Sequence, residues 1–189
     1  MKNLILTVIV ASLVLPSCNQ VAKTAEKTEF NASVDISTVK VSETEINTSI
    51  KTNFPDSTSL IITATREYKR KNNNEQYAAD LYYSFTSIVK NGQISFSFNP
   101  LDKSWIEAYE ALRKQNGEFD KKLTEIDKTT IKDTIEISVL FTPKGKQPVS
   151  VIKLIGANGE NLNGADVEAN NGGFKVYDKK IKFYNKFKK

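Results

Sequence analysis

Apolar and polar positions change rhythm several times along the chain. Leu4 to Leu15 is apolar except for Thr7 and Ser12, and the sequence then stays polar, rich in Lys, Thr, Glu and Ala, to about residue 33. From Val34 the period becomes two, the mark of half-buried strands. Val34, Ile36, Val39 and Val41 predict a first strand with a break near Thr38, and Ile46 and Ile50 a weaker second. The longest alternation is residues 76–90, which puts Tyr77, Ala79, Leu81, Tyr83, Phe85 and Val89 on one face. Its expected partner is residues 58–70, across the polar turn 71–75. Asn91-Gly92 predicts a type I′ hairpin into Ile94, Phe96 and Phe98, so that three consecutive antiparallel strands form a meander.

Residues 99–127 break this pattern. Trp105, Ala108, Tyr109 and Leu112 fall at i, i+3, i+4 and i+7, with Ser104 and Glu107 as a capping box and Asn116-Gly117 as the stop. Phe119, Leu123 and Ile126 repeat the spacing and predict a second short helix. Strands resume at Ile131 to Phe141, where Ile135, Ile137, Val139 and Phe141 alternate with polar positions. A turn at Thr142-Pro143-Lys144-Gly145 then leads to an apolar strand near Val149 to Ile155. The last strand is expected from Lys180 to Lys188, with Ile181, Phe183 and Phe187 inward and Lys182, Tyr184, Lys186 and Lys188 outward. About seven to nine short strands predict a mainly β fold, an antiparallel β-sandwich of immunoglobulin or transthyretin type with a helical insertion near residues 102–127.

The opening apolar run is too short to span a bilayer, which takes about 20 residues. With Lys2 before it and Pro16-Ser17-Cys18 after it, it has the form of a signal peptide over residues 1–17. Leu15-Pro16-Ser17-Cys18 resembles the bacterial lipobox. The resemblance implies cleavage before Cys18, a thioether from its thiol to diacylglycerol, and a freed amine that becomes the mature N-terminus. Two or three acyl chains on one residue suffice for stable anchoring. Residues 18–33 then read as a lipidated tether and 34–189 as a single domain. Asn19, where an aspartate signals inner-membrane retention in enteric bacteria, and the lack of an acidic cluster after Cys18 imply the periplasmic face of an outer membrane.

Composition narrows the chemistry. The 189 residues include no histidine and one cysteine, which removes the commonest general base, Cys/His metal sites and thiol catalysis once Cys18 carries lipid. There is no G-x-S-x-G turn, no phosphate loop and no G-x-G-x-x-G. No cofactor is expected. The carboxylate pairs Glu107 with Glu110 and Glu118 with Asp120 lie among Lys103, Lys114, Lys121 and Lys122, as on a solvated helix face.

The net charge of +5 is unevenly spread: residues 174–189 hold seven lysines against Asp178 alone. Lys180, Lys182, Lys186, Lys188 and Lys189 are candidates for contact with an anionic surface, against the alternative that they only shield an edge strand from aggregation. Nucleic acid is not an expected partner for an exported chain.

Residues 156–173 combine glycines with Asn, Asp and Glu, but they lack the ligand spacing of an EF-hand, and their three Asn-Gly pairs are turn formers. The order Asn158-Gly159, Leu162-Asn163-Gly164-Ala165-Asp166-Val167, Gly172-Gly173-Phe174 resembles the transthyretin-like sandwiches called carboxypeptidase regulatory-like domains, over about residues 149–176. Such domains generally bind or pack, so the resemblance implies a sandwich and no catalytic residues.

These features point to a lipid-anchored cell-envelope protein that serves as a non-catalytic binding or assembly component with an envelope protein partner. An alternative is a polysaccharide- or peptidoglycan-binding module stacking sugars on Trp105, Tyr77, Tyr82, Tyr83 or Tyr109; burial of Trp105 would count against it. A third reading, a carboxylate-dependent hydrolase, needs a pocket with at least two convergent acids.

Overall fold

A computed structural model describes residues 29–116 and 123–188, with Tyr82 and Tyr83 described by their backbone alone. Cys18, Gly117, Glu118, Phe119, Asp120 and Lys189 lie outside the described residues. The chain runs through β1 (Phe30–Asn31), β2 (Val34–Ser42), β3 (Glu45–Thr52), β4 (Ser59–Arg70), β5 (Gln76–Ile88) and β6 (Gln93–Phe98). Helix α1 (Ser104–Asn116) follows, then β7 (Ile126–Asp127), a 3-10 turn, β8 (Thr134–Phe141) and α2 (Val149–Ile155). β9 (Leu162–Asn163), β10 (Val167–Ala169) and β11 (Lys175–Tyr184) complete it.

The fold is mainly β and sandwich-like, with no closed barrel. The larger sheet has the order β10-β11-β8-β4-β5, with β7 beside the end of β4, and the smaller is β2-β3-β6; every pairing in both is antiparallel. Ile36, Ile46, Ile50, Ile94 and Phe98 of the small sheet share one buried cluster with Leu60, Ile62, Ile135, Ile137, Val139 and Phe141 of the large. Alternation does what period two requires in the central strands: in β4 and β8 one beat is buried and the other mostly half-buried.

β4 and β5 pair across residues 71–75 as expected, and the Asn91-Gly92 turn has the two positive φ values, 50° and 67°, of type I′. The meander is a correction. β6 pairs with β3, placing Ile46 opposite Phe98 and Ile50 opposite Ile94, so the turn carries the chain from one sheet to the other. Val89 is the pivot: buried, it exchanges backbone hydrogen bonds with Ser57 and Thr58, while the Gly92 carbonyl accepts from Thr52 N–H at 2.9 Å. Those bonds draw the turn toward β3 and away from β5.

Four further expectations are corrected. Val149–Ile155 is a helix, because Pro148 precedes it, Gly156 ends it at φ 93°, and burial follows Val151 and Ile155, four apart. Residues 123–125 are not helical, and Ile126 pairs with Arg70 in a strand. α1 is turned from the expected face: Trp105, Ile106 and Tyr109 are buried, whereas Ala108 and Leu112 are exposed. The last strand spans Lys175–Tyr184, ending early because Asp133 accepts from Asn185 N–H (2.6 Å) and Phe187 N–H (2.8 Å) and pulls the tail across the end of the sandwich.

Ordered pairing also begins inside the stretch read as tether, since Phe30–Asn31 lies parallel to Leu162–Asn163 and the Phe30 ring sits 5.5 Å from Phe54. The fold thus has two distinguishable ends. Phe30, Asn53 and the Asn91-Gly92 turn mark the end where β4 starts; α1, the C-terminal tail and the β2–β3 turn mark the other.

Candidate functional site

Beside the first turn of α1 and the bulged part of β5 lies a recess of about 240 Å³ lined by Asp80, Leu81, Asp102, Ser104, Trp105 and Ala108. β5 is irregular at this point. Ile62 faces Phe85, Ala64 faces Tyr82 and Thr65 faces Asp80, so β5 carries an extra residue at each of two steps. Bulges of this kind re-aim side chains and interrupt pairing at strand edges. Here they turn Leu81 inward, where it is buried, and bring Asp80 to the rim. Asp80 is exposed at the rim, yet partial desolvation there raises its pKa above the ordinary carboxylate value, opposed by the backbone N–H of Ser84.

Asp102 starts α1. Its Oδ1 accepts from Ser104 N–H at 2.8 Å and its Oδ2 from the Ser104 hydroxyl at 2.8 Å, satisfying one of the open donors of the helix start. Among the described residues, neither Asp80 nor Asp102 forms an ion pair and no lysine or arginine lines the recess. The recess is therefore acidic, with an apolar floor.

Trp105 is only 9% exposed and packs 5.2 Å from Tyr68 and 6.5 Å from Phe187, its indole N–H donating to the Asp102 carbonyl at 3.1 Å. Behind it the Arg70 guanidinium is held between rings, 3.8 Å from the Tyr77 centroid and 4.9 Å from that of Tyr109. The Tyr109 hydroxyl donates to the Thr124 carbonyl, and the Tyr77 hydroxyl to Glu75 at 2.7 Å. Trp105 and Tyr109 thus serve as core, and their burial counts against sugar stacking on those two rings.

The candidate lysines do not form a free basic stripe. Lys180 pairs with Asp178 (2.7 Å), Lys182 with Glu67 and Glu136 (3.2 Å each) and Lys188 with Glu43 (2.9 Å), while Lys186 is exposed. In the glycine-rich stretch, Glu160 accepts from both Asn158 nitrogens, and Asp166 accepts from Lys179 (3.0 Å) and the Tyr177 hydroxyl (3.2 Å), so these oxygens are engaged by protein donors.

Sequence reasoning missed Asp80, which sits on an ordinary polar beat of β5 and carries no signal of the bulge. It also passed over Asp102, although an aspartate two residues before Ser104 is a helix-start signal of its own. Comparison of the chain with family models, curated proteins and solved structures yields no match.

Proposed function

We propose that this chain is exported, cut before Cys18, acylated there, and acts at the bacterial envelope as a non-catalytic binding or assembly component whose protein partner engages the recess beside α1. The anchoring half rests on the charged start, the short apolar run and Leu15-Pro16-Ser17-Cys18. The binding half is carried by one observation: the recess lies toward the end of the sandwich opposite Phe30, where the anchored segment enters the fold. β4 spans twelve residues between those ends, so an anchor at the near end leaves the recess facing away from its bilayer. At about 240 Å³ the recess is smaller than the ~300–1,000 Å³ of small-molecule sites, a size suited to one inserted side chain.

Two experiments test this reading. Metabolic labelling with a fatty acid should mark the wild type and leave Cys18→Ser unlabelled; a lipid-labelled serine variant sinks the anchoring half. Affinity recovery from detergent-solubilised membranes should bring down a stoichiometric envelope protein that Ala108→Arg loses. Recovery of glycan alone would reverse the assignment.

One observation favours a second reading. Asp80 and Asp102 line the same recess and burial raises Asp80, which is the pattern of a carboxylate-dependent hydrolase. Against it, both oxygens of Asp102 are taken by Ser104. Hydrolysis of a model glycoside or peptide that Asp80→Asn abolishes, with partner recovery unchanged, would favour this second reading.

A further inference from the structure

Helix α2 and the point where the anchored segment enters the fold form one surface. Phe30 N–H donates to the Asn161 carbonyl at 2.7 Å, and Asn161 donates its backbone N–H to Ile155 and its side-chain amide to Leu154, both at 2.9 Å. The chain arriving from Cys18 therefore meets the last turn of α2. On the other side Gln147 fastens the preceding turn to the start of β4, accepting from Ser59 N–H at 3.0 Å and donating to the Ser59 carbonyl at 2.8 Å.

The side chains at this end combine positive charge with exposed apolar groups. Residues 142–155 include Lys144, Lys146 and Lys153 and no acid, and Lys90 follows at the adjacent turn. None of these four lysines is in an ion pair among the described residues, in contrast to Lys180, Lys182 and Lys188. Val149 is 71% exposed and Ile88 is also exposed. Asp56, Glu160 and Glu29 also lie at this end, held by Gly92 N–H, Asn158 and the Asn163 amide and still charged. Lys144 donates to Asn158 Oδ1 near Glu160 and lies 5.8 Å over the Phe174 ring, so Lys90, Lys146 and Lys153 are the freest cations of this end.

We propose that this end, α2 with Lys90, Lys144, Lys146 and Lys153, seats on the anionic headgroups of the bilayer that holds the anchor. The inference rests on the reading that Cys18 is acylated. Glu29 lies eleven residues after Cys18, and a chain of that length spans at most about 40 Å however it is arranged. The α2 end is thus confined close to the lipid surface. Individually weak attractions between lysine and headgroup then suffice, because anchoring has already met the cost of bringing the domain to the membrane. Val149 can dip into the interface between the lysines. Seated this way, the domain holds its α1 recess outward instead of tumbling on its tether.

The test uses the full-length acylated protein, purified from membranes and reconstituted with phosphatidylcholine vesicles with or without phosphatidylglycerol. Acylation consumes the only native thiol, so Val149→Cys and, separately, Lys186→Cys each accept a polarity-sensitive fluorophore at a single position. The expected result is a blue shift at position 149 on the anionic vesicles alone, removed by the triple variant Lys144→Glu, Lys146→Glu, Lys153→Glu. Protein that floats with both vesicle types but emits identically at 149 overturns the seating while leaving the anchor intact. An equal or larger shift at 186 overturns it in favour of the C-terminal lysines. Protein without acyl mass that floats with neither vesicle overturns the anchoring reading, and the seating with it.

Discussion

Arg66 donates to both oxygens of Asn185, from Nη1 to the backbone carbonyl at 2.9 Å and from Nη2 to the side-chain Oδ1 at 3.1 Å. The guanidinium is fully buried, and it also donates to the carbonyls of Lys132 (2.7 Å) and Pro100 (3.2 Å). Burial pushes its pKa below the ordinary value, and only Asp133 acts in the other direction. A cation bound by neutral acceptors thus ties the C-terminal tail, the loop before α1 and the start of β8 to the middle of β4.

Removing the guanidinium should therefore cost more than its volume. Arg66→Ala leaves a cavity and strips a donor from four acceptors, three of the bonds buried and the one to Lys132 part-buried, an expected loss of about 3–5 kcal/mol. Arg66→Met fills the space but not the bonds and should cost about 2–3 kcal/mol. Asn185→Ala should cost about 1–2 kcal/mol. Urea unfolding of the mature chain carrying Cys18→Ser checks the order. Equal stabilities for Arg66→Met and the wild type would show that the bonds contribute nothing net.

Asp80 gives a pH signature. Its pKa in the folded protein lies above the ordinary 3.8 because burial disfavours its charged form, so the folded chain holds this proton more tightly than the unfolded one. Its contribution to stability is complete below 3.8 and is lost as pH rises through the folded value. Asp80→Asn keeps an acceptor for Ser84 and removes the titration. The variant should be more stable than the wild type at neutral pH, and the gain should vanish below about pH 3.8. Chemical denaturation at both pH values measures it.

The alternation that located β4, β5 and β8 is a direct read-out of one dry and one wet face, and it was legible. The errors fall where periodicity cannot decide. In a strand Val149 and Val151 share a face; in α2 Val149 is 71% exposed and Val151 fully buried. A short apolar run fits either pattern, and only Pro148 and Gly156 mark the difference. The exchange of sheets at Val89 depends on bonds to Ser57 and Thr58 some thirty residues away, which no local rhythm records. Arg66 had a signal that was not used: it occupies the inward beat of Leu60, Ile62, Ala64 and Tyr68. The recess was illegible because it arises from a register slip in β5 and from the turn of α1 toward Ile106.

Gly156 provides a test of the α2 assignment. It sits at φ 93°, and a Cβ there would lie 2.9 Å from the backbone N of Glu160, which is itself fixed in the turn. Gly156→Ala should therefore cost about 2–3 kcal/mol from combined backbone strain and contact. Gly173, at φ 77° with nothing within 4 Å of a Cβ, should lose only about 1 kcal/mol on the same change. Thermal unfolding of the two variants side by side distinguishes them. If Gly173→Ala proves the more damaging, the turn after α2 is not built as described.

Glu43, in the β2–β3 turn, reports whether the tail is closed in solution. Its hydrogen bonds with Lys40 and then Lys188 hold its pKa down at about 2 against an ordinary 4.5. Because the folded value is the lower, the stability it contributes is present above pH 4.5 and is lost as pH falls toward 2. Both partners are exposed, so added salt should weaken the effect. Lys188→Ala should raise the Glu43 pKa part of the way to 4.5, with Lys40 retaining the rest, whereas Lys186→Ala should leave it unchanged. Carboxyl-carbon NMR titration of Glu43 reads this directly. An unshifted value in Lys188→Ala would mean that the tail beyond Phe187 does not close onto the β2–β3 turn, and that the Arg66 clamp and the Asp133 bonds to Asn185 and Phe187 hold the C-terminus without it.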